Sequence, residues 1–316
     1  MDRIKIAVIG AGAMARRHLE VLRTLQGAEI AAASSRSQER LRKLAADFQI
    51  PEIYQNNEQM LDKVGPDAVV VAVSAADIYR VSSSSIRRGI PTLLEKPPGL
   101  TAQETESLLE STNHQPVQCM VGLNRRFYSV INNAKTLVQE SGALVSVLIQ
   151  APEDMAAIKA MNLHPPEVLN HWMAANGIHG IDLLRFLGGE VKSVQAFSRS
   201  HGASREGYGA LIHFENGAIG HYVSNWASPG RWQIALYGMD MRVDLQPWEE
   251  GTMTLRDGST SQVPKDDVDN KFKPGFYGQD SYFIEHVRNN LPISRPAANI
   301  EDALATMRLV EAIANS

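Results

Sequence analysis

Gly10-Ala11-Gly12-Ala13-Met14-Ala15 sets two glycines and a small residue at the spacing G-x-G-x-x-A. Residues without bulk let a backbone approach an anion. Gly10 permits a tight turn, Gly12 leaves room for a pyrophosphate, and Ala15 allows close helix packing. A helix starting here adds its first amides and a partial positive charge. Further on, Ala33-Ser34-Ser35-Arg36-Ser37 carries hydroxyls and a guanidinium where an acid would otherwise accept from a ribose 2′-hydroxyl. Those groups suit a 2′-phosphate, so NADP(H) is favoured over NAD(H), with Ser35 and Arg36 as discriminating contacts. In the blander reading, Ser37 only caps the next helix and Arg36 is solvated.

These residues need a scaffold, and the flanking pattern supplies one. Ile4–Ile9 is a β-branched strand; after the glycine turn, Met14, His18, Leu19, Leu22 and Leu25 recur at helical spacing up to Gly27, and Glu29–Ala33 starts a second strand. The alternation continues with a helix near 38–47, the apolar strand Ala68–Val73 ending at Ser74, a helix over about 76–88 and a strand at Pro91–Leu94. Continuous apolar strands of this kind suit a parallel sheet covered on both faces. Glu95-Lys96-Pro97-Pro98-Gly99 then forbids helix. Thr101-Ala102-Gln103-Glu104 reads as a capping box, and Val117–Val121 as a last strand. The fold class is α/β: a doubly wound Rossmann domain over 1–121, followed by a second domain over 122–316.

In the second domain, strands are expected at Ala143–Ala151, Val191–Arg199, Tyr208–Phe214, Ala218–Trp226, Trp232–Gly238 and Met241–Leu245, with Glu215-Asn216-Gly217 as a hairpin turn. They can form one open, mostly antiparallel sheet in an α+β domain. Lys265–Gly278 reads as a mobile loop, and helices over 280–289 and 300–314 close the chain, the last packing back near the nucleotide domain.

Composition limits the partners. The 316 residues are 44% hydrophobic and 21% charged, and 31 Lys plus Arg against 35 Asp plus Glu leave a net charge of −4 without a run of one sign. That excludes a broad nucleic-acid or anionic-membrane surface, and no window approaches a bilayer-spanning apolar stretch. The single Cys119 lies in an apolar run, where a buried structural thiol is the better reading. Asp2 and the short Ile4–Ile9 run do not fit an export signal, so a cytoplasmic protein is expected.

From Glu95-Lys96-Pro97 onward the order of features resembles the Gfo/Idh/MocA family of oxidoreductases. Val121-Gly122-Leu123-Asn124-Arg125-Arg126-Phe127, the Gly177–Asp182 segment of form G-x-H-x-x-D, Gly188–Val194, Arg295-Pro296 and Glu301–Leu304 extend the likeness over the whole chain. The resemblance implies an N-terminal Rossmann domain, a C-terminal domain with a large open sheet, and a homodimer or homotetramer formed through that sheet. It also implies hydride transfer between a nicotinamide and a carbinol or keto carbon of a sugar, cyclitol or nucleotide-linked sugar. By resemblance Lys96 and His179 are the catalytic pair. Gly10, Gly12, Ala13, Met14, Ser35, Arg36, Ser74, Glu95, Lys96 and Asn124 would hold the cofactor, and Arg125, His164, Trp172 and Asp182 the substrate, with Arg126 a further candidate. Asp182 is spaced to orient His179, or simply to favour the helix N-terminus. Trp226 and Tyr222 are candidate exposed interface residues. A zinc reading of His164, His171 and His179 lacks the spacing such sites use, and no metal is expected.

One position departs from the family. An aspartate commonly precedes the histidine by four residues, and Ala175 stands there. Either His179 and Lys96 suffice, or His164, His171 or Asn176 substitutes, or the chain is a dinucleotide-binding regulator without turnover. A reductase of a non-sugar substrate, such as an imine or linear tetrapyrrole, is a further alternative.

Overall fold

The computed structural model describes residues 3–202 and 204–316; Asp2, weighed above against an export signal, lies outside them. The chain forms two compact units: one comprises the chain up to Asn124 with Asn270–Leu304, the other Arg125–Asp269 with Ala305–Ser316. The chain first passes from one unit to the other after Asn124. The return of Asn270–Leu304 differs from a plain two-block division. It is held by long-range pairing, since Val121 N donates to Ala298 O at 2.8 Å and a helix of the returning segment packs on the first helix of the chain.

In the first unit, β1 (Ile4–Ile9), α1 (Ala13–Leu22), β2 (Ala28–Ser34), α2 (Gln38–Phe48), β3 (Glu52–Tyr54), α3 (Asn57–Val64), β4 (Ala68–Val71), α4 (Ala75–Ile86), β5 (Thr92–Glu95), α5 (Ala102–His114) and β6 (Cys119–Gly122) alternate. The strands build a parallel sheet in the order β3-β2-β1-β4-β5-β6. Residues 6–9, 68–71 and 92–95 are buried throughout, as strands covered on both faces require. The order reverses beside β1, between β2 and β4, and ligands of open α/β sheets bind at the carboxyl ends of strands at such a point. Thr101 Oγ1 caps α5 by accepting from Glu104 N at 3.2 Å, while the Glu104 carboxylate reaches back to Leu100 N. β3 and α3 have no counterpart in the sequence reading. The strand is three residues long, and α3 is marked chiefly by its caps, Asn56 Oδ1 accepting from Gln59 N at 3.0 Å and Gly65 at φ 52°.

The second unit contains α6 (Ser129–Ser141), β7 (Ser146–Gln150), the short α7 (Met155–Ala160) and α8 (Pro166–Asn170), a π-helical turn at Met173–Gly177 running into α9 (Ile178–Gly188), and β8 (Val191–His201) to β14. The latter strands are β9 (Ser204–Phe214), β10 (Ile219–Asn225), β11 (Gln233–Tyr237), β12 (Met241–Leu245), β13 (Gly251–Leu255) and β14 (Thr260–Gln262). Their sheet has the order β14-β13-β12-β11-β7-β10-β9-β8, antiparallel except for the β7–β10 pair. One face, including Ile212, Tyr222 and Ser224, is buried, and α9 lies against β7 and β10. Tyr222 is only 1% exposed, because its alternation faces it toward that helix, so it is not the exposed interface residue expected. Lys265–Gly278 is likewise not an open loop. It holds α10 (Val268–Lys271) and the start of α11 (Phe276–Arg288), and Asp269 accepts from Ser129 N at 2.8 Å and Ser129 Oγ at 2.6 Å. The final helix, α12 (Ile300–Ala314), matches its expected range.

Arg126 and Asp182 fasten this unit internally. Arg126 Nε and Nη2 donate to Asp182 at 2.8 and 2.6 Å, and Thr306 Oγ1 donates to the same carboxylate at 3.0 Å, all buried. Removing one member of such a pair strands a buried charge. Arg126→Ala should lower unfolding stability by about 3–5 kcal/mol in chemical denaturation, whereas an exposed control such as Arg199→Ala should cost under about 1 kcal/mol.

Candidate functional site

The glycine turn sits at the end of β1, beside the reversal of strand order. At Gly10, φ is +123° and a Cβ would lie 2.1 Å from Ala72 O, so no side chain fits there. At Gly12 a Cβ would meet nothing within 4 Å, leaving open approach to the backbone. Gly12 is the N-cap of α1 and offers no side-chain cap, so the first amides of the helix keep their hydrogen-bonding capacity for a ligand. Ala13 is exposed and Met14 half-buried beside them, with Lys273 Nζ 3.9 Å from Met14 Sδ. Together these residues fit a dinucleotide pyrophosphate.

Beyond β2, Ser37 caps α2, its Oγ accepting from Arg40 N at 3.4 Å. Arg36 is 80% exposed at its side chain and donates to Asp77 at 2.5 Å. Asp77 also accepts from Ser74 Oγ at 3.0 Å and Arg80 Nη2 at 2.9 Å. Burial opposes its ionisation, yet the Arg80 and Ser74 hydrogen bonds and the charge of Arg36 hold its carboxyl below the ordinary value. Ser35, Arg36 and Ser74 thus border one polar corner in which two guanidiniums share one carboxylate.

Glu95 and Lys96 leave the sheet at the end of β5, on the same edge as Gly10. Lys96 is half-buried and Glu95 is 6% exposed. Glu95 Oε1 lies 3.2 Å from His18 Nε2, and His18 Nδ1 lies 2.9 and 3.0 Å from the two oxygens of Asp280 in α11. Burial alone would depress the His18 pKa, but Asp280 and Glu95 outweigh it and push it up to about 10. His18 therefore does more than fill the apolar stripe of α1. Its position in that stripe disguises it, because its partners lie 77 and 262 residues away. Asn124 is buried, with Nδ2 donating to Pro274 O at 3.0 Å. Cys119 is buried, which pushes its thiol up to about 12 and leaves it unreactive.

In the second unit, His179 and Ala175 are both 7% exposed, His179 in the first turn of α9 and Ala175 in the π-helical turn before it. Gly177 and Gly180 let this segment approach the sheet: a Cβ at 180 would sit 3.2 Å from Ile149 Cγ2 and 3.3 Å from Tyr222. Asp182 is committed to Arg126 and Thr306 in the core, and Arg126 is 0% exposed, so neither faces a ligand. His164 is exposed and packs edge-on against buried Trp172, ring centroids 5.0 Å apart. His171 is exposed, its Nδ1 2.8 Å from Glu167 O. Among the described residues no group of three or more His, Cys, Asp or Glu side chains is arranged to hold a metal ion.

Arg125 marks a cleft of about 620 Å³ that also takes in Glu153, Asn176, Arg231, Trp232, Trp248 and Glu249. Its guanidinium carbon lies 4.5 Å from the ring centroids of both Trp232 and Trp248, which meet edge-on at 4.7 Å. Burial lowers the Arg125 pKa, opposed by Tyr128, Glu249 and Glu153, though a guanidinium stays charged. Its Nη1 is buried without a hydrogen-bond partner. Glu153, 7% exposed, accepts from Asn176 Nδ2 at 2.6 Å. Sequence reasoning misses Glu153, Trp232 and Trp248, since each sits in a segment with no motif. The cleft combines carboxylate acceptors, guanidinium and amide donors and two indole faces.

A family described as "Oxidoreductase family, NAD-binding Rossmann fold" matches residues 4–123, and the Gfo/Idh/MocA C-terminal domain matches residues 134–244. The chain is 23% identical to a scyllo-inositol 2-dehydrogenase (NAD(+)) of Bacillus subtilis over 99% of its own length and 94% of the relative's. It is 28% identical to a D-apiose dehydrogenase of Paraburkholderia graminis, matching 62% of this chain but only about half, 52%, of that protein. Among solved structures, a putative NADPH-dependent oxidoreductase of Desulfitobacterium hafniense aligns with a TM-score of 0.86 at 18% identity, over 100% of this chain and 96% of the other. An oxidoreductase of Agrobacterium radiobacter, solved with NAD+, L-tartaric acid and magnesium, aligns with a TM-score of 0.82 at 19% identity over 99% and 96%. With both of its domain types matched in order, the chain belongs to the Gfo/Idh/MocA oxidoreductase family.

Proposed function

We propose that this protein is a nicotinamide-dependent dehydrogenase or reductase that interconverts a carbinol and a carbonyl on a sugar or cyclitol. The observation that carries the reading is the Gly10–Gly12 turn and the Glu95-Lys96-Pro97 turn on one edge of one parallel sheet, at and beside its reversal of strand order. The names of the inositol and apiose dehydrogenase relatives support the substrate class. Gly10, Gly12, Ala13 and Met14 would hold the pyrophosphate; Ser35, Arg36 and Ser74 the adenosine ribose; and Glu95, Lys96 and Asn124 the nicotinamide end. Bound there, the nicotinamide supplies the hydride acceptor or donor.

Lys96 carries the charge that steadies oxygen at the reacting carbon, and His179 handles the hydroxyl proton. Arg125 and the Trp232 and Trp248 faces bind the substrate, alongside His164 and Trp172. Asp182 acts on the site only by holding Arg126, the residue after Arg125. Glu153, braced by Asn176, supplies the carboxylate that Ala175 cannot. Homo-oligomerisation through the open sheet is supported by its second face, where Phe197 is 73% and Ile219 36% exposed and cross-strand pairing aligns Phe197 with Gly209 and Val223.

The assay is absorbance at the nicotinamide band with a panel of inositols, aldoses and sugar acids. Lys96→Ala should lower kcat by about 10²–10⁴ while nucleotide affinity stays within a few-fold. Ala175 favours a second reading, a dinucleotide-binding regulator. Tight nucleotide binding with no turnover on any panel member, and turnover appearing only in Ala175→Asp, would replace the first reading with the second.

The adenosine corner favours NADP(H), because Arg36 and Arg80 together exceed the charge of Asp77 by one. NADPH should bind more tightly than NADH in fluorescence titration. Arg36→Ala should weaken NADPH by about tenfold and leave NADH nearly unchanged, the loss of one charge-assisted hydrogen bond. Tighter binding of NADH to the unaltered protein refutes the preference.

A further inference from the structure

His18, Glu95 and Asp280 converge from α1, the end of β5 and α11, all within the first unit, and His18 and Asp280 are 0% exposed. Both ring nitrogens of His18 face carboxylate oxygens, Nδ1 toward Asp280 at 2.9 and 3.0 Å and Nε2 toward Glu95 at 3.2 Å. A neutral imidazole has one N–H and one lone pair, and would aim that lone pair at an oxygen. Only the imidazolium donates in both directions. Around the cluster, the Phe276 ring lies 4.9 Å from the His18 ring, Lys273 Nζ lies 5.5 Å from the Phe276 ring centroid, and Gln279 Nε2 donates to Asp280 Oδ1 at 3.3 Å.

We propose that His18 is a positioning residue, a lasting buried imidazolium that ties Glu95, and with it the turn carrying Lys96, to Asp280 of the returning helix. Glu95 is the residue immediately before Lys96, so fixing its carboxylate fixes where the amine leaves the sheet. The imidazolium also cancels one of two buried negative charges, and that balance sets the field at Lys96. Its raised pKa agrees with this geometry. The role rests on the reading of Lys96 given above, but its measurements need no turnover. Should that reading fail, activity would be absent while the labelling pattern stayed intact.

The full-length protein, labelled with 15N-histidine, is titrated from pH 6 to 9 by long-range heteronuclear NMR. One histidine, whose signals vanish in His18→Gln, should keep both ring nitrogens protonated over the whole range while exposed histidines titrate. A neutral tautomer, or a midpoint within the range, overturns the proposal. Reactivity of Lys96 toward acetic anhydride, resolved by peptide mass spectrometry at fixed pH, then reads the field. His18→Gln should slow labelling about threefold, the change a half-unit rise in amine pKa produces, and Glu95→Gln should speed it by a similar factor. A structural role alone would not give opposite signs. Unchanged labelling in both variants, or a shift of the same sign in both, defeats the proposal. If His18→Gln does not fold, the sign of Glu95→Gln and the wild-type ring signals decide.

Discussion

A buried charge must be met by another, and in this chain that requirement joins segments far apart in sequence. An imidazolium removed from water is tolerable only with carboxylates against it. His18 finds one at the end of β5 and another in α11, 262 residues away. The second contact adds to the packing of α11 on α1, the Arg288 Nη2 hydrogen bond to Gln26 O at 2.7 Å and the Val121–Ala298 bridge, which together tie the Asn270–Leu304 segment to the earlier chain. Without Asp280, α11 would offer His18 no counter-charge. Without His18, the two carboxylates would stand buried without a cation between them. The helix α1, the end of β5 and the returning helix α11 are therefore joined through one charge cluster.

The second unit obeys the same rule with different residues. Arg126 is fully buried because Asp182 and Thr306 satisfy the pair. That pairing releases Arg125, its neighbour, to a different environment between two indoles. Two adjacent arginines thus have opposite fates, decided by which carboxylate lies in reach. The fixed Arg126 holds the backbone from which Arg125 departs, so the precision of the cleft depends on a pair that never touches its contents.

Much of the fold is legible in the sequence. The glycine turn, the buried strands of the first sheet, and Met241–Leu245 and Ile300–Ala314 are local patterns, and they stand where periodicity puts them. β3, β13 and β14 are not legible, because each is short and rests on pairing with a neighbour more than on its own apolar period, and the eight-residue α3 is marked chiefly by its caps. The return of α11 is hidden for a related reason: its partners lie at the opposite end of the chain. At the site, types are readable and environments are not. In sequence His18 looks like filler in an apolar stripe, Asp182 like a partner for His179, and Glu153 like nothing in particular. Which carboxylate meets which cation is a property of the fold.

Ala175 illustrates the same distinction between residue type and environment. Read as a lost aspartate, it argues for lost chemistry. In the fold it lies in a π-helical turn, whose wider winding changes which side chains share a face. The next residue, Asn176, then reaches Glu153, which begins no helix of its own and lies just beyond the end of β7. The turn is packed against the sheet through Gly177 and Gly180, so an aspartate restored at 175 would enter a wall only 7% exposed and next to an existing acid–amide pair. The carboxylate that lies beside this turn is Glu153, which accepts from Asn176 Nδ2 at 2.6 Å, so residue type at 175 alone does not describe the charge of its surroundings.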